Sequence, residues 1–408
     1  GGILLARGGD DKKEPAASSV AAPSVSVSVP TVSIPATTAP VVSTAPVVST
    51  GTESTAPTPS TDTASTDTGA TDTGSTDTAS TDAGATDTGS TDTGASKTPL
   101  DPTEIVKLNK DATVYILATT TTGLASGTGS VIDVENGLVI TNNHVAGAAE
   151  KLTVRTDAMK RGVDARLIAA LPCEDLALIQ ITTPADRAGF QQVTLGDSST
   201  LQPGDPVYAL GFPGSADDIV DPHAQVLSFT DGRVSKASTI LDFPGSDAVP
   251  LQSVIQHTAA VNPGNSGGPL FDQYGDQVGI NTAALGSIGK EDQNLSITSQ
   301  RLLGLLDQMK EGYSSQWIGA ELTPFLDNKG NSVGLQVGGL AQFGPADNAN
   351  LVPGQIIFQI NRRPATTLDE FCQNMPQEPG TKVNIGIFDP SSKQAGIVRL
   401  TAGTKPKQ

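Results

Sequence analysis

Aromatic side chains make up only 4% of the 408 residues, and none of them falls within residues 1–99. That stretch is built from Ser, Thr, Ala, Pro, Val, Asp and Gly and has too little to bury, which excludes a core there. Cysteine is almost missing as well. Cys173 and Cys372 lie far apart and, on the division drawn below, in different domains, so a disulfide framework is not expected. The three histidines, His144, His223 and His257, have no Cys or carboxylate at ligand spacing, so no metal site is expected. No apolar run approaches the roughly 18–20 residues that span a bilayer. Basic residues are the minority, 25 against 43 acidic, for a net charge of −18. Phosphate recognition needs the opposite balance, so nucleic acid is not an expected partner, and the acidity reads as a soluble surface.

The chain opens at Gly1 without a methionine, so an N-terminal piece is expected to be missing. Residues 2–13 (Gly-Ile-Leu-Leu-Ala-Arg-Gly-Gly-Asp-Asp-Lys-Lys) resemble the end of a bacterial lipoprotein signal. Arg7 stands where the lipidated cysteine would be, so lipidation is not assigned. The expected place is extracytoplasmic, in the cell envelope or secreted, with any membrane anchor in the missing piece. Residues 60–94 repeat a five-residue Ser/Ala-Thr-Asp-Thr/Ala-Gly/Ala unit seven times. Ordering such a stretch costs more entropy than its burial returns, so residues 1–99 are expected to be a disordered, solvated spacer. The alternative, evenly spaced Asp ligands for a cation, lacks the glycine pattern of repeats that fold on calcium.

Three segments carry chemistry. Residues 137–145 (Gly-Leu-Val-Ile-Thr-Asn-Asn-His-Val) run an apolar strand into a polar turn that ends at His144. Residues 174–181 (Glu-Asp-Leu-Ala-Leu-Ile-Gln-Ile) open a buried strand on Asp175. Each of these alone is a common structural pattern. Residues 264–270 (Gly-Asn-Ser-Gly-Gly-Pro-Leu) are far more specific. Glycine on both sides of the Ser266 position lets the chain turn sharply and leave the hydroxyl exposed. The same turn, Gly264, Asn265 and Ser266, aims the N–H groups of Gly264 and Ser266 at one spot. Such a spot is an oxyanion hole, where each donor matters by about 10²–10³ in rate. A glycine-rich hairpin would explain the turn, but not a His and an Asp upstream in this order.

With His144, Asp175 and Ser266 in that order, the sequence resembles the chymotrypsin-like serine proteases and most closely the HtrA/Deg family. The resemblance implies a mostly β chain. A disordered arm (1–99) would precede two six-stranded antiparallel β-barrels of the trypsin type (100–312) and a small α+β PDZ domain (313–408). It implies that Ser266 is the nucleophile, His144 the general base and Asp175 the residue that orients the imidazole, with no cofactor because the triad needs none. Residues 126–132 match a first-barrel strand and 207–213 the strand and turn opening the second. Residues 278–283 match the strand after the nucleophile, where Asn281, Thr282 and Ala283 would pair with substrate backbone. One position departs from the family. An Asp usual eight residues before the serine is replaced by Thr258, with His257 beside it, and His257 is expected to be a structural second-barrel residue. His223 is expected in an exposed loop. Enzymes that cut after Lys or Arg carry an Asp six residues before the serine, and here Ala260 stands there, between Ala259 and Val261. Cleavage after small or medium apolar residues is therefore expected.

From Trp317 the pattern changes. Residues 333–337 and 356–361 are expected strands, 344–351 a short helix, and 351–357 resemble the PDZ turn of HtrA proteins with Gln355 in place of Asp. Thr367 followed by Glu370 has capping-box spacing, so a helix is expected to start there. Residues 383–388 would close the small sheet. By the resemblance a backbone nest at Trp317, Ile318, Gly319 and Ala320 would hold the C-terminus of a peptide with an apolar end. The expected activity is ATP-independent degradation of misfolded or damaged exported proteins by a homo-oligomer, a trimer by the same resemblance. A holdase or scaffold that grips unfolded chains is the rival from another class. A surface adhesin, suggested by the arm, is the third.

Overall fold

The computed structural model describes residues 97–214, 225–241, 249, 251–284 and 293–403. The lipoprotein-like fragment, the repeats, almost all of the arm and His223 lie outside the described residues.

The chain enters its first barrel through helix α1 (Pro102–Asn109). Asp101 caps it by accepting from the Thr103 N–H, Glu104 returns the bond to the Asp101 N–H, and Pro102 sits where its missing donor costs nothing. Strands β1 (Thr113–Thr120), β2 (Gly123–Asp133), β3 (Leu138–Thr141), β4 (Lys151–Arg155), β5 (Val163–Leu171) and β6 (Leu176–Ile181) follow. They form a closed barrel in the order β1-β2-β3-β6-β5-β4. Strand β6 shows why this sequence is apolar almost without alternation. Ala177, Ile179 and Ile181 fill the barrel interior, while Leu176 and Leu178 face a second core shared with the next barrel. Both faces are covered, so both must be apolar.

Strands β7 (Pro206–Gly211), β8 (Ser228–Leu241), β9 (Leu251–His257), β10 (Pro269–Phe271), β11 (Gln277–Ala284) and β12 (Asn294–Thr298) close the second barrel in the order β10-β11-β12-β9-β8-β7. Thr298 then caps the longest helix, α3 (Ser299–Lys310), whose Leu302, Leu306 and Met309 pack into the core between the barrels.

The C-terminal part is one six-stranded sheet: β13 (Ala320–Leu326), β14 (Ser332–Leu340), β15 (Ile356–Ile360), β16 (Arg363–Pro364), β17 (Lys382–Asp389) and β18 (Gln394–Thr401). Its main path runs β13-β14-β15-β17-β18, so β13 is an edge. Residues 383–388 do not close it. They lie in β17, between β15 and β18, and β18 is the far edge. The outer strand was hard to read because its residues are mostly exposed and its apolar Ile397 points to solvent. The short helix α4 (Pro345–Asn348) and helix α5 (Leu368–Asn374) cover this sheet's core. Thr367 caps α5 by accepting from the Glu370 N–H. The reciprocal bond shifts by one residue, since Glu370 accepts from the Thr366 N–H and hydroxyl.

The C-terminal sheet docks on the first barrel. Trp317 packs with Leu167, Ala170 and Ala341, and its indole N–H donates to the Gly147 carbonyl at 2.8 Å. The Leu340 N–H donates to Thr121 Oγ1 at 3.0 Å. Against expectation, Cys173 and Cys372 form a disulfide between the two parts, with Cα atoms 5.6 Å apart. Sequence distance had argued against the bond, but packing sets α5 beside the 3₁₀ turn Pro172–Glu174, within disulfide reach.

Candidate functional site

His144 sits on the one-turn helix α2 (Asn143–Ala146), directly after β3 delivers the chain to the rim of the first barrel. Asp175 follows the 3₁₀ turn and takes a left-handed conformation, φ 50°, unusual for a residue with a side chain. Three ties hold that turn. Cys173 is bonded to α5, Glu174 pairs with Arg301 of α3, and the Asn142 amide donates to the Asp175 carbonyl at 2.8 Å.

So held, the Asp175 carboxylate meets His144 Nδ1 at 2.9 and 3.0 Å and accepts from the His144 N–H at 3.1 Å. Thr282 Oγ1 donates at 2.6 Å to Oδ2, the same oxygen that lies 2.9 Å from Nδ1. The packing around the half-exposed imidazole is the largest single influence on its pKa and pulls it down. The charge and hydrogen bond of Asp175, with a further pull from the Glu321 carboxylate, outweigh that and leave His144 above its ordinary value.

Ser266 occupies a turn wedged between the barrels. Gly264 and Gly267 have φ of +96° and +84°. At Gly267 a Cβ would lie 2.1 Å from Thr141 Oγ1 and 2.2 Å from the Thr128 carbonyl, so only glycine fits. Thr128, which sequence reasoning placed only within a strand, braces this turn. Its hydroxyl accepts from the Phe212 N–H and donates to the Gly264 carbonyl, while its N–H donates to the Ser266 carbonyl. Nothing local could have singled it out, because the partners lie more than 80 residues away.

The Asn265 N–H is taken by the Asn262 carbonyl, so of the three residues in the expected oxyanion turn Asn265 has no free backbone donor. The Pro263 carbonyl accepts from the Gly214 N–H, which turns the Gly264 N–H, across the same peptide plane, the opposite way. Among the described residues neither the Gly264 nor the Ser266 N–H has an acceptor. Ser266 Oγ donates to the Thr282 carbonyl at 3.3 Å, with no bond to His144. A serine hydroxyl, an imidazole oriented by a carboxylate and two free N–H groups are the parts that acyl transfer requires.

The expected substrate contacts divide. Val261 is buried, with its N–H on Asn294 Oδ1, while Ala260 is exposed. Thr282 gives its hydroxyl to Asp175. Asn281 is wholly buried: its N–H donates to Gly268, its carbonyl accepts from Gly267 and its amide donates to Pro269. It therefore has no group to offer a substrate, contrary to expectation. Ala283 pairs with Leu295 across β11 and β12, just past a bulge. In the C-terminal sheet, Ile318 and Gly319 direct their carbonyls to the Ala346 and Ala341 N–H groups. Their own N–H groups have no acceptor among the described residues. Gly319 is left-handed, φ 72°, and Ala320 begins β13 opposite Leu340. No group of three His, Cys, Asp or Glu among the described residues could hold a metal ion, and no described helix is long and apolar enough to cross a membrane.

Residues 127–280 match the trypsin-like peptidase domain family. A probable periplasmic serine endoprotease DegP-like of Brucella suis is 35% identical over 296 residues, covering 69% of this chain and 53% of the relative. The periplasmic pH-dependent serine endoprotease DegQ of Escherichia coli is 30% identical over 273 residues, covering 64% of this chain and 56% of the relative. The chain thus spans about half the length of the curated relatives it matches. A solved structure, HtrA-type protease AlgW with tripeptide, aligns at 26% identity with a TM-score of 0.44, covering 76% of this chain and 99% of that one. The peptidase-domain match, running from the β2 strand through the Ser266 turn, and the similarity to DegP- and DegQ-named relatives support an HtrA/Deg family serine protease.

Proposed function

We propose that the chain is an ATP-independent serine endopeptidase with Ser266 as nucleophile, His144 as general base and acid, and Asp175 as the residue that orients the imidazole. The observation that carries it is the pairing of His144 Nδ1 with the Asp175 carboxylate at 2.9 Å beside the glycine-bounded Ser266 turn. Asp175 accepts from Nδ1–H, which leaves Nε2 bare to take the Ser266 proton as Oγ attacks the scissile carbonyl. The free Gly264 and Ser266 N–H groups receive the developing oxyanion. His144 then gives its proton to the leaving amine, and water repeats the sequence on the acyl-enzyme. The chemistry needs no cofactor.

The substrates we assign are unfolded or damaged exported proteins, and the periplasmic names of the relatives support an extracytoplasmic place of action. Residues 100–312 form the protease unit and 313–408 a PDZ unit in this reading. The β13 edge accepts an extended apolar C-terminus there, and the unpaired Ile318 and Gly319 N–H groups cap its carboxylate. Assembly as a trimer is carried over from the family alone. With Ala260 and Val261 at the pocket floor, cleavage is expected after Val, Ala or Ile. Mapping the fragments of a digested unfolded protein checks this, and cuts after Lys or Arg would sink it.

A second reading, chain-holding without cleavage, draws on the Ser266 hydroxyl being turned to the Thr282 carbonyl. A fluorophosphonate separates the two, since it forms its adduct only with an activated serine. Labelling of Ser266 that vanishes in Ser266→Ala is expected. An unlabelled chain that still binds unfolded casein, even with apolar C-terminal peptides added, would favour the holdase.

A further inference from the structure

We propose that His257 is a positioning residue for the Ser266 turn, acting through Ser296 and Asn281. It rests on the serine-protease reading above for its effect on rate, but not for its geometry. The three side chains come from adjacent strands, β9, β12 and β11, and each is 0% exposed. They form a line that ends at the turn.

The direction of each bond follows from the one before. The Asn281 amide N–H donates to the Pro269 carbonyl at 3.1 Å, which can only accept. Asn281 Oδ1 is thereby the atom facing Ser296, and it accepts the Ser296 hydroxyl proton at 2.8 Å. A hydroxyl has one proton, so the 2.9 Å contact between Ser296 Oγ and His257 Nε2 must be donated by Nε2–H. The relay places the proton on Nε2, and Nδ1 has no partner within hydrogen-bond distance and angle among the described residues. Burial pushes the His257 pKa down to about 4, with a weaker opposing pull from the Ala259 backbone, so the ring serves as a neutral donor near pH 7.

Asn281 is the receiving end and also the brace. Its N–H, carbonyl and amide bond in turn to Gly268, Gly267 and Pro269, the three residues after the nucleophile. Without the Ser296 donor the Asn281 carbonyl oxygen would be buried unpaired, and the amide would rotate or admit water to satisfy it. Either change loosens residues 267–269 and, with them, the aim of the Ser266 hydroxyl and N–H. Sequence reading set His257 apart only because it neighbours Thr258 at the position that departs from the family.

The test compares His257→Leu, which keeps bulk and loses the donor, with His257→Gln, whose amide reaches the place of Nε2, and with Ser296→Ala. Two quantities are read on the full chain: the rate constant for fluorophosphonate labelling of Ser266, and hydrogen exchange of residues 264–269. His257→Leu and Ser296→Ala are each expected to slow labelling roughly 10- to 100-fold and to speed exchange in that segment. Their combination should be little worse than either alone. His257→Gln should recover labelling to within about threefold of wild type, a rescue that bulk alone does not predict. Unchanged labelling and exchange in Ser296→Ala would overturn the relay, as would His257→Gln failing as badly as His257→Leu. If His257→Leu does not fold, Ser296→Ala and His257→Gln still decide. A wild-type chain that never labels sinks the protease reading instead, and the exchange measurements then test the relay by themselves.

Discussion

Ser266→Ala is expected to slow casein degradation by about 10⁶-fold and Asp175→Asn by about 10⁴-fold, both with the chain still folded. The first removes the atom that forms the acyl-enzyme, and what remains is binding and the oxyanion donors. The second acts through a tautomer. The Asp175 carboxylate accepts from the His144 N–H, from His144 Nδ1 and from Thr282 Oγ1, so each of its partners among the described residues is a donor. An asparagine there keeps only one acceptor atom. Its NH₂ facing Nδ1 would force the imidazole proton onto Nε2, where it blocks removal of the Ser266 proton. Rates on a peptide substrate, with circular dichroism as the check on folding, decide the matter. Asp175→Asn within about tenfold of wild type would mean that the His144–Asp175 pair is a structural contact and not part of a triad.

Cys173→Ser is expected to lower the unfolding free energy by about 5 kcal/mol, because the bond closes a loop of 199 residues and restricts the unfolded chain accordingly. It also has a local consequence that entropy alone does not carry. Cys173 lies in the turn that leads to Asp175, and Cys372 on the helix that covers the C-terminal sheet. Breaking the bond leaves that sheet on the first barrel through contacts such as those of Trp317, Leu340 and Ser314. Denaturant unfolding in oxidising and reducing buffer measures both effects. Wild type in a dithiol reductant should fall to the stability of Cys173→Ser, which should itself be indifferent to reductant. A loss under about 1 kcal/mol would show that the docking contacts, and not the bond, hold the parts together.

How far the sequence could be read depended on the range of the physical cause. The Ser266 turn was visible because glycine at 264 and 267 answers to backbone conformation and close approach, which act over a few residues. Strands β2, β3, β6, β7 and β11 were legible, and β18 was not, because an exposed outer strand leaves little pattern. Thr128 and Asn142 were invisible for another reason. Thr and Asn are common in turns and strands, and what sets these two apart is a partner at Gly264 or Asp175. Asn281 was misread toward substrate because its strand was recognised while the face it presents was not.

The sequence by itself determined the order of His144, Asp175 and Ser266, the glycine-bounded turn and a net acidic chain, while the two barrels and the small sheet were what the family resemblance implied. The signals it carries are local: periodicity, glycine, caps and charge. Only the tertiary structure decided that Cys173 reaches Cys372, that the Thr282 hydroxyl bonds to Asp175, and that His257 addresses the nucleophile turn through two intermediaries. Each of these joins residues from elements that meet only when the barrels close and the C-terminal sheet docks. Burial then leaves their polar groups no partner but one another.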